Sequence, residues 1–523
     1  MKGTVKMKST KKFISILLSL LMLATALIPV AATVTDETTL PEAEETTVEA
    51  LPAPDNVDIP GDGKITGDDN SLYPLGLEGQ WLDEEEAKRG ITVNPGKTNS
   101  ERNFSWYMSE DVTYCAVEIS EKEYMADAEV FTGEIITTYQ GDKAAKVTVT
   151  GLEPNKTYYY TCVSGEERSR VYSLATKDNV FSALYMSDVH IYDNPEDADS
   201  LKNTSFAFAD LLSTAKNQFD VNLILSGGDM ATEGQRVEYE GLTFSKASRE
   251  LTFATIMGNH DRHSFDYKYF SNLPNEMYGP MSSYQSGNYY FEMGGVLFIC
   301  LDTNNASAQA HRATVKEAVK THSDAKWRIV MMHHDLYGGS LPHRETECNL
   351  LRILFSPLFD EFNIDLVLMG HSHHYSVSDV VYNGEAVDKI ENGGTVNNAK
   401  GTVYFVSTSI GRPEEEGEED VVYSDLVSIG MDKLTDSYYN ILDFSPEAIK
   451  VTSYNLETDE EYVSFTLTKD DDYEPEKIGF FRKLGGILAG YISNFYGIYC
   501  NSDRYFGLKE DGYTGVGFFE YVF

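Results

Sequence analysis

Residues 180–190 decide the fold and read Val-Phe-Ser-Ala-Leu-Tyr-Met-Ser-Asp-Val-His. An apolar run of strand length ends here in Asp188 and His190, two side chains with metal-ligand chemistry. Similar runs predict further strands at Val221–Leu225, Phe253–Met257, Val296–Leu301, Trp327–Met332, Leu366–Met369 and Val403–Val406. Helical spacing between these runs predicts helices at Leu201–Gln218, Ala313–Lys320 and Asn349–Phe362. The alternation of the two patterns indicates an α/β domain with a largely buried sheet.

Polar side chains that can bind metal follow five of these strands. The motifs are Asp188-Val-His190, Gly227-Gly-Asp229, Gly258-Asn-His-Asp261, His333-His334 and Gly370-His-Ser-His373. In open α/β sheets the functional site lies at the carboxyl ends of the strands, so we expect the five loops to converge on one crevice. His371 and His373 are two positions apart, project to one side of an extended segment, and can each reach one of two adjacent metals. The alternative is that each of these side chains is an unrelated surface or core residue.

The order of these motifs resembles the calcineurin-like metallophosphoesterase superfamily. The phrases His333-His-Asp-Leu-Tyr337 and Gly370-His-Ser-His-His-Tyr375, and the β-rich segment before them, are similar to purple acid phosphatases. The resemblance implies an α/β metallophosphoesterase domain, with mixed β-sheets sandwiched by helices, preceded by an all-β, fibronectin type III-like sandwich. Residues 152–158 look like the tyrosine corner of fibronectin type III domains, which places the hydroxyl of Tyr158 within reach of nearby backbone.

The resemblance also implies two transition metal ions, divalent or trivalent, of Fe, Mn or Zn. The implied ligands of the first metal are Asp188, His190, Asp229 and His373, and those of the second are Asp229, Asn259, His333 and His371, with Asp229 bridging. Purple acid phosphatases carry a Tyr where this chain has Thr232, and a Gly where it has His190. An imidazole ligand would thus replace the phenolate ligand. Without charge transfer between a Tyr and Fe(III), the purple colour should be absent, and the reason to expect Fe(III) in the site weakens. Mixed nitrogen and oxygen ligands suit zinc, manganese or iron.

Three more residues are candidates for the catalytic step. His260 would stand near the leaving group or a phosphate oxygen and could supply a proton to the leaving oxygen. Asp261 could orient His260 or simply cap its loop. His343 resembles a phosphate-side histidine of the family, with an exposed loop histidine as the alternative.

These residues predict a secreted, dinuclear-metal phosphoesterase that hydrolyses phosphomonoesters by in-line attack of a metal-bound hydroxide. A phosphodiesterase or nucleotide hydrolase on the same metal site is the alternative. An alternative of another class is a secreted cell-surface binding module with a relic metal site, although all seven ligand positions hold competent residues. A serine hydrolase is disfavoured because the chain has no Gly-x-Ser-x-Gly motif.

Shifts in composition predict the domain boundaries. The predicted segments are a signal peptide at 1–32, an acidic Thr/Glu/Pro linker at 33–57, a dockerin-like calcium-loop remnant and linker at 58–87, the fibronectin type III-like sandwich at 88–178, the metallophosphoesterase domain at 179–470, and a C-terminal extension without an assigned role at 471–523. Residues 58–69 follow the rhythm of a calcium loop, but Pro60 stands where an oxygen ligand belongs. The pattern therefore favours a degenerate turn, with a working Ca site and a cohesin-like or cell-surface partner as the alternative.

The N-terminus and the charge balance bear on location and partners. Five lysines precede the apolar stretch 13–28, and Val30-Ala-Ala32 offers a small-residue cleavage site, with an uncleaved anchor as the alternative. The net charge of −41, from 42 Lys+Arg and 83 Asp+Glu, repels polyanions. The charge therefore disfavours a nucleic acid or an anionic membrane as partner, and the resemblance implies a small phosphoester. Cys115 and Cys162 could pair or remain core thiols.

Overall fold

A computed structural model of the chain describes residues 82, 84–194, 200–279, 282–305, 307–338, 346–411, 424–430, 436–475, 477–490 and 509. The predicted signal peptide, the acidic linker and the calcium-loop remnant lie outside these residues, and so does His343. Within the predicted C-terminal extension, residues 480–490 are helical. Among the described residues, no helix is long and apolar enough to cross a membrane.

An all-β sandwich follows the short helix α1 (Glu84–Lys88). Its strands are β1 (Thr92–Pro95), β2 (Arg102–Met108), β3 (Cys115–Ser120), β4 (Glu129–Thr132), β5 (Glu134–Thr137), β6 (Lys143–Val149), β7 (Thr157–Ser164), β8 (Glu167–Arg168) and β9 (Tyr172–Ala175). One sheet has the order β1-β2-β6-β5, and in the other β4, β3 and β7 are adjacent and β7 also pairs with β8 and β9. Alternate side chains of both sheets, among them Trp106, Val117 and Val147, meet in one buried core.

Two sequence expectations for this sandwich are decided by the structure. The backbone N–H of Glu153 donates to the hydroxyl of Tyr158 at 2.9 Å, which is the hydrogen bond of a tyrosine corner. Cys115 and Cys162 are buried free thiols, so the disulfide alternative is wrong. Neighbouring strands hold the two cysteines out of direct register, since Cys162 pairs with Val117 and Cys115 pairs with Ser164.

The second domain contains strands β10 to β25 and helices α2 to α7. The strands are β10 (Phe181–Met186), β11 (Val221–Ser226), β12 (Thr252–Thr255), β13 (Tyr289–Met293), β14 (Val296–Leu301), β15 (Trp327–Met332), β16 (Leu366–Met369), β17 (Ser376–Ser378), β18 (Val380–Tyr382), β19 (Glu385–Asp388), β20 (Gly394–Asn397), β21 (Val403–Val406), β22 (Val427–Gly430), β23 (Tyr438–Phe444), β24 (Ala448–Asn455) and β25 (Glu461–Thr468). The helices are α2 (Ser200–Phe219), α3 (Arg236–Thr243), α4 (Lys246–Arg249), α5 (Asp266–Phe270), α6 (Ala308–Thr321) and α7 (Thr346–Phe362), with 3-10 turns at Asp261–His263 and Ser424–Leu426.

Two mixed seven-stranded sheets form the centre of this domain. Their orders are β12-β11-β10-β23-β24-β25-β20 and β13-β14-β15-β16-β21-β17-β22. In the first sheet β10, β11 and β12 are parallel, and in the second β14, β15, β16 and β21 are parallel. The carboxyl ends of the parallel strands therefore lie at one edge of each sheet.

The two sheets pack face to face, with helices on both outer surfaces. Along β10, Ala183 and Tyr185 enter the core between the sheets, where they meet Phe298 of the second sheet. Leu184 and Met186 point the other way, into a core with α2 and α3, while α6 and α7 cover the outer face of the second sheet. Both faces of the parallel strands are thus buried, which explains their continuous apolar runs. The predicted fold class, mixed sheets sandwiched by helices after an all-β domain, is confirmed.

Buried polar side chains join the sandwich to the α/β domain. Arg249 is fully buried and donates to the backbone carbonyl of Glu86 at 2.7 Å and to the hydroxyl of Tyr172 at 3.1 Å. The side-chain amide of Asn94 donates to the carbonyl of Phe253 in β12 at 2.8 Å. The sandwich therefore supports the strand that leads into the loop of Asn259.

Candidate metal centre

The loops after β10, β11, β12, β15 and β16 bring their polar side chains together. Three groups of side chains each have ligand atoms within 4.8 Å of one another. The groups are Asp188, His190 and His373; His190, Asp229 and His260; and Asp229, His333 and His371. Asp229 and His190 each belong to two groups, so the three groups form one continuous cluster.

Interlocking backbone hydrogen bonds hold the first two loops in place. The N–H of Asp188 donates to the carbonyl of Gly228, and the N–H of His190 donates to the carbonyl of Asp229, both at 3.0 Å. The N–H of His371 donates to the carboxylate of Asp188 at 3.0 Å, which brings in the loop after β16. The ligand positions are therefore fixed by main chain from three separate strand ends.

One end of the cluster is built around Asp188. The Nε2 atoms of His190 and His373 are 3.2 Å apart, and Nε2 of His373 is 3.4 Å from Oδ1 of Asp188. Asp188 and His190 are fully buried, and burial lowers the pKa of His190 to about 3. His190 is therefore a neutral imidazole, the form in which histidine binds metal.

The other end is built around His333. Its Nδ1 lies 2.9 Å from the carbonyl oxygen of Gly227, which can only accept, so Nδ1 carries a proton. Its Nε2 faces two acceptors, Oδ1 of Asn259 at 2.9 Å and Oδ2 of Asp229 at 3.2 Å. Burial lowers the pKa of His333, but the carboxylate of Asp229 outweighs this and raises the pKa to about 10. A nitrogen and two oxygens converge here on a position that favours a cation.

Asp229 lies between the two ends. Its Oδ1 accepts the backbone N–H of His260 at 2.8 Å, and its Oδ2 faces His333. Burial raises the pKa of Asp229, but the surrounding imidazoles, that of His333 foremost, bring it well below its usual range. Asp229 is therefore an ionised carboxylate that belongs to two of the three ligand groups.

The backbone at these positions is unusual in a way that points to function. Five non-glycine residues of the cluster have a left-handed φ; these are Asp188 (53°), His190 (47°), Asp229 (48°), His371 (74°) and His373 (54°). Such conformations cost free energy and gather at functional sites. Two glycines of the motifs also allow close approach, because a Cβ at Gly258 would overlap the Asp229 carboxylate and one at Gly370 would overlap Ser187 and Asp188.

His260 is held by a partner that the sequence motifs do not contain. Its Nδ1 is 2.7 Å from the backbone carbonyl of Thr232, so Nδ1 donates and Nε2 is left for the cluster. The hydroxyl of Thr232 itself donates to the carbonyl of Ile191 at 3.1 Å. Thr232 therefore orients His260 through its main chain.

Asp261 is fully buried and makes its contacts with loop backbone. Its carboxylate accepts the N–H of Gly258 at 2.9 Å, of Ala231 at 3.1 Å and of Met230 at 3.4 Å, and the hydroxyl of Tyr239 at 3.1 Å. These bonds join the loop after β11 to the loop after β12. The geometry favours the loop-capping alternative for Asp261.

The loop after β14 supports the centre and was not among the five motifs. Asn304 donates to the carbonyls of Met257 and Gly258 at 3.0 and 3.1 Å. Thr303 Oγ1 lies 2.8 Å from Nδ1 of His334, whose ring is 4.5 Å from that of His371. The signal in the sequence is the polar run Asp302-Thr-Asn-Asn305 directly after the fourth apolar strand.

Two transition metal ions fit this cluster by the chemistry of its donors. The carboxylates of Asp188 and Asp229 and the imidazoles of His190, His333, His371 and His373 offer mixed oxygen and nitrogen ligands, and the amide of Asn259 adds one oxygen. The buried ring nitrogen of His333 between two acceptor oxygens supports the same conclusion. His260 also lies within ligand distance of His190 and Asp229.

Comparisons with known proteins support the two-domain organisation. Residues 181–375 match the family model of the calcineurin-like phosphoesterases, and residues 89–176 match that of the purple acid phosphatase N-terminal domain. Purple acid phosphatase 15 of Arabidopsis thaliana is 24% identical over 268 residues, covering 46% of this chain and 50% of that protein. Purple acid phosphatase 23 of the same plant is 23% identical over 344 residues, covering 56% of this chain and 70% of that protein.

The likeness extends to solved structures. A purple acid phosphatase from yellow lupin (Lupinus luteus) seeds superposes with a TM-score of 0.59 at 14% identity, covering 73% of this chain and 74% of that one. This match supports the fold, while the two family models account for the two domains in order. The chain therefore contains a calcineurin-like phosphoesterase domain, with a purple acid phosphatase N-terminal domain in front of it.

Proposed function

We propose that the chain is a dinuclear-metal phosphoesterase that hydrolyses phosphomonoesters. The observation that carries the proposal is the convergence of three groups of metal-ligand atoms, which share Asp229 and His190, at the carboxyl ends of five strands. The family to which the domain belongs supports the same reaction class. Small phosphoesters are the corresponding substrates.

In this proposal, Asp188, His190, Asp229 and His373 hold one metal, and Asp229, Asn259, His333 and His371 hold the other. Two ions bound there would lower the pKa of a water molecule and offset the negative charge of the phosphate. Asp229 would be shared by both metals, because its carboxylate belongs to two of the three ligand groups.

We assign proton donation to His260. Because the carbonyl of Thr232 fixes Nδ1, the ring presents Nε2 to the cluster. When the P–O bond breaks, the alkoxide oxygen takes the bond's electron pair, and a proton on Nε2 converts it to an alcohol. The loops of Asn259 and Thr232 hold the ring in one orientation.

Export is a separate part of the proposal and rests on residues 1–32 alone. Five lysines, an apolar stretch and a small-residue cleavage site are the parts of a signal peptide. Expression in a secreting host, followed by N-terminal sequencing of protein from the medium, tests it. A chain that retains its first 32 residues in the cell pellet would contradict cleavage and export.

Elemental analysis combined with two substrates tests the proposed reaction. The wild-type protein should contain about two transition metals per chain and hydrolyse 4-nitrophenyl phosphate faster than bis(4-nitrophenyl) phosphate. Asp229→Asn should lose at least one metal and nearly all activity, because Asp229 belongs to two of the three ligand groups. Asp178→Asn, at an exposed loop position, is the matched control. Metal content near zero in metal-replete wild type would refute the metal centre, and faster diester hydrolysis would refute the monoesterase assignment.

A further inference from the structure

Two side chains outside the ligand set stand together at the rim of the site. Nδ1 of His263 is 3.4 Å from Oε2 of Glu233. The side chains are 44% and 50% exposed, respectively, so both are open to a molecule arriving from solvent. We call Glu233 and His263 the rim pair.

The rim pair is attached directly to the loops that build the centre. Glu233 follows Thr232, whose carbonyl accepts from His260, and the N–H of His263 donates to the carbonyl of His260 at 3.0 Å. The two loops touch, because a Cβ added at Gly234 would lie 2.5 Å from the carbonyl oxygen of Asp261. The pair therefore has a defined position relative to His260.

A row of imidazoles connects the buried cluster to the rim pair. The ring centroids of His373 and His190 are 5.1 Å apart, those of His190 and His260 are 4.8 Å apart, and those of His260 and His263 are 5.4 Å apart. Exposure rises from the fully buried His190 to the half-exposed His263. His260 thus lies between the metal ligands and the rim pair.

We propose that the rim pair selects the leaving group of the substrate, an inference that rests on the proposed function. Because the ring of His260 lies between those of His190 and His263, a leaving group whose oxygen His260 protonates on the cluster side would extend outward from there toward His263 and Glu233. The carboxylate of Glu233 accepts hydrogen bonds from alcohol groups, and the imidazole of His263 donates or accepts them. The substrates favoured are monophosphates of neutral, hydroxyl-bearing alcohols.

The same pair disfavours a leaving group that carries further negative charge. The net charge of the rim pair is zero when the imidazole of His263 is protonated and −1 when it is neutral. In neither state does the pair attract a second phosphate. A fixed carboxylate at the rim repels such a group, and specificity of this kind works through the penalty on the wrong ligand. Pyrophosphate and nucleoside polyphosphates are therefore poor substrates.

Glu233→Gln tests the inference, with Glu134→Gln as matched control, because Glu134 is an exposed residue of the sandwich strand β5. The ratio of kcat/KM for pyrophosphate to kcat/KM for glycerol 2-phosphate should rise about tenfold in Glu233→Gln, which corresponds to about 1.4 kcal/mol. The control should keep the wild-type ratio. Both variants exchange one exposed carboxylate for an amide, so differences in overall charge cancel.

A binding measurement gives a readout that does not depend on turnover. Calorimetry on metal-replete protein should show methylenediphosphonate binding about tenfold tighter to Glu233→Gln, with inorganic phosphate, which has no leaving group, unchanged. A ratio of kcat/KM and a methylenediphosphonate Kd that both stay within twofold of wild type would overturn the inference while leaving the phosphoesterase in place. Failure of wild type to hydrolyse any of these compounds would refute the proposed function and the inference with it.

Discussion

The substitution Asp261→Ala separates two roles for a buried carboxylate beside the metal centre. In the structure Asp261 accepts three backbone N–H groups, from Gly258, Ala231 and Met230, and one hydroxyl, from Tyr239. None of these partners is the His260 ring, whose Nδ1 bonds the carbonyl of Thr232. We therefore expect Asp261→Ala to weaken the contact between the loops after β11 and β12 more than it affects proton transfer by His260.

The magnitude follows from the bonds that are lost. A buried donor left without an acceptor costs about 1–3 kcal/mol, and the bond from Met230, at 3.4 Å, is the weakest of the four. Allowing for partial relaxation and for water entering the space, we expect the free energy of unfolding to fall by about 3–5 kcal/mol. Because the freed loops carry Asp229 and Asn259, metal content should fall as well.

Urea unfolding of metal-free protein measures the stability loss, and elemental analysis measures the bound metal. Asp178→Ala, which removes an exposed carboxylate, should stay within about 0.5 kcal/mol of wild type. The loop-joining role of Asp261 is refuted if the free energy of unfolding of Asp261→Ala falls by less than about 1 kcal/mol, while the variant keeps its metal and is slow only on esters with poor leaving groups. That pattern would assign Asp261 to the orientation of His260.

Three further substitutions test other parts of the structure. His260→Ala should keep both metals but hydrolyse alkyl phosphates about 10²–10⁴-fold more slowly, with a smaller loss on 4-nitrophenyl phosphate; equal losses or lost metal would exclude a proton donor. Gly370→Ala should lower metal content, because its Cβ would overlap the Asp188 carboxylate, whereas Gly430→Ala, with open space around it, should not. Tyr158→Phe should destabilise the sandwich by about 1 kcal/mol in urea unfolding, since the Glu153 N–H loses its acceptor, and Tyr159→Phe serves as its control.

Local sequence pattern was sufficient for seven strands of the α/β domain, which are β10, β11, β12, β14, β15, β16 and β21. The strand predicted at Trp327–Met332 has those bounds in the structure, and the one predicted at Phe253–Met257 ends earlier, at Thr255, where the chain turns into the Asn259 loop. Strands β23 to β25, which were not predicted, complete the first sheet through the antiparallel pairing of β23 with β10. That pairing joins residues far apart in sequence, so no local pattern reports it.

The sequence by itself determined the alternation of buried strands and helices, the order of the motifs and the residue types at five strand ends. These features are local, because apolar periodicity and short motifs reflect only the immediate chain. Only the tertiary structure decided which atoms face each other: the carbonyl of Thr232 on His260, the loop bonds of Asp261, the support from Asn304 and the rim pair. Each of these contacts depends on backbone groups or exposed side chains brought together from separate loops, and main-chain donors and acceptors are the same at nearly every residue.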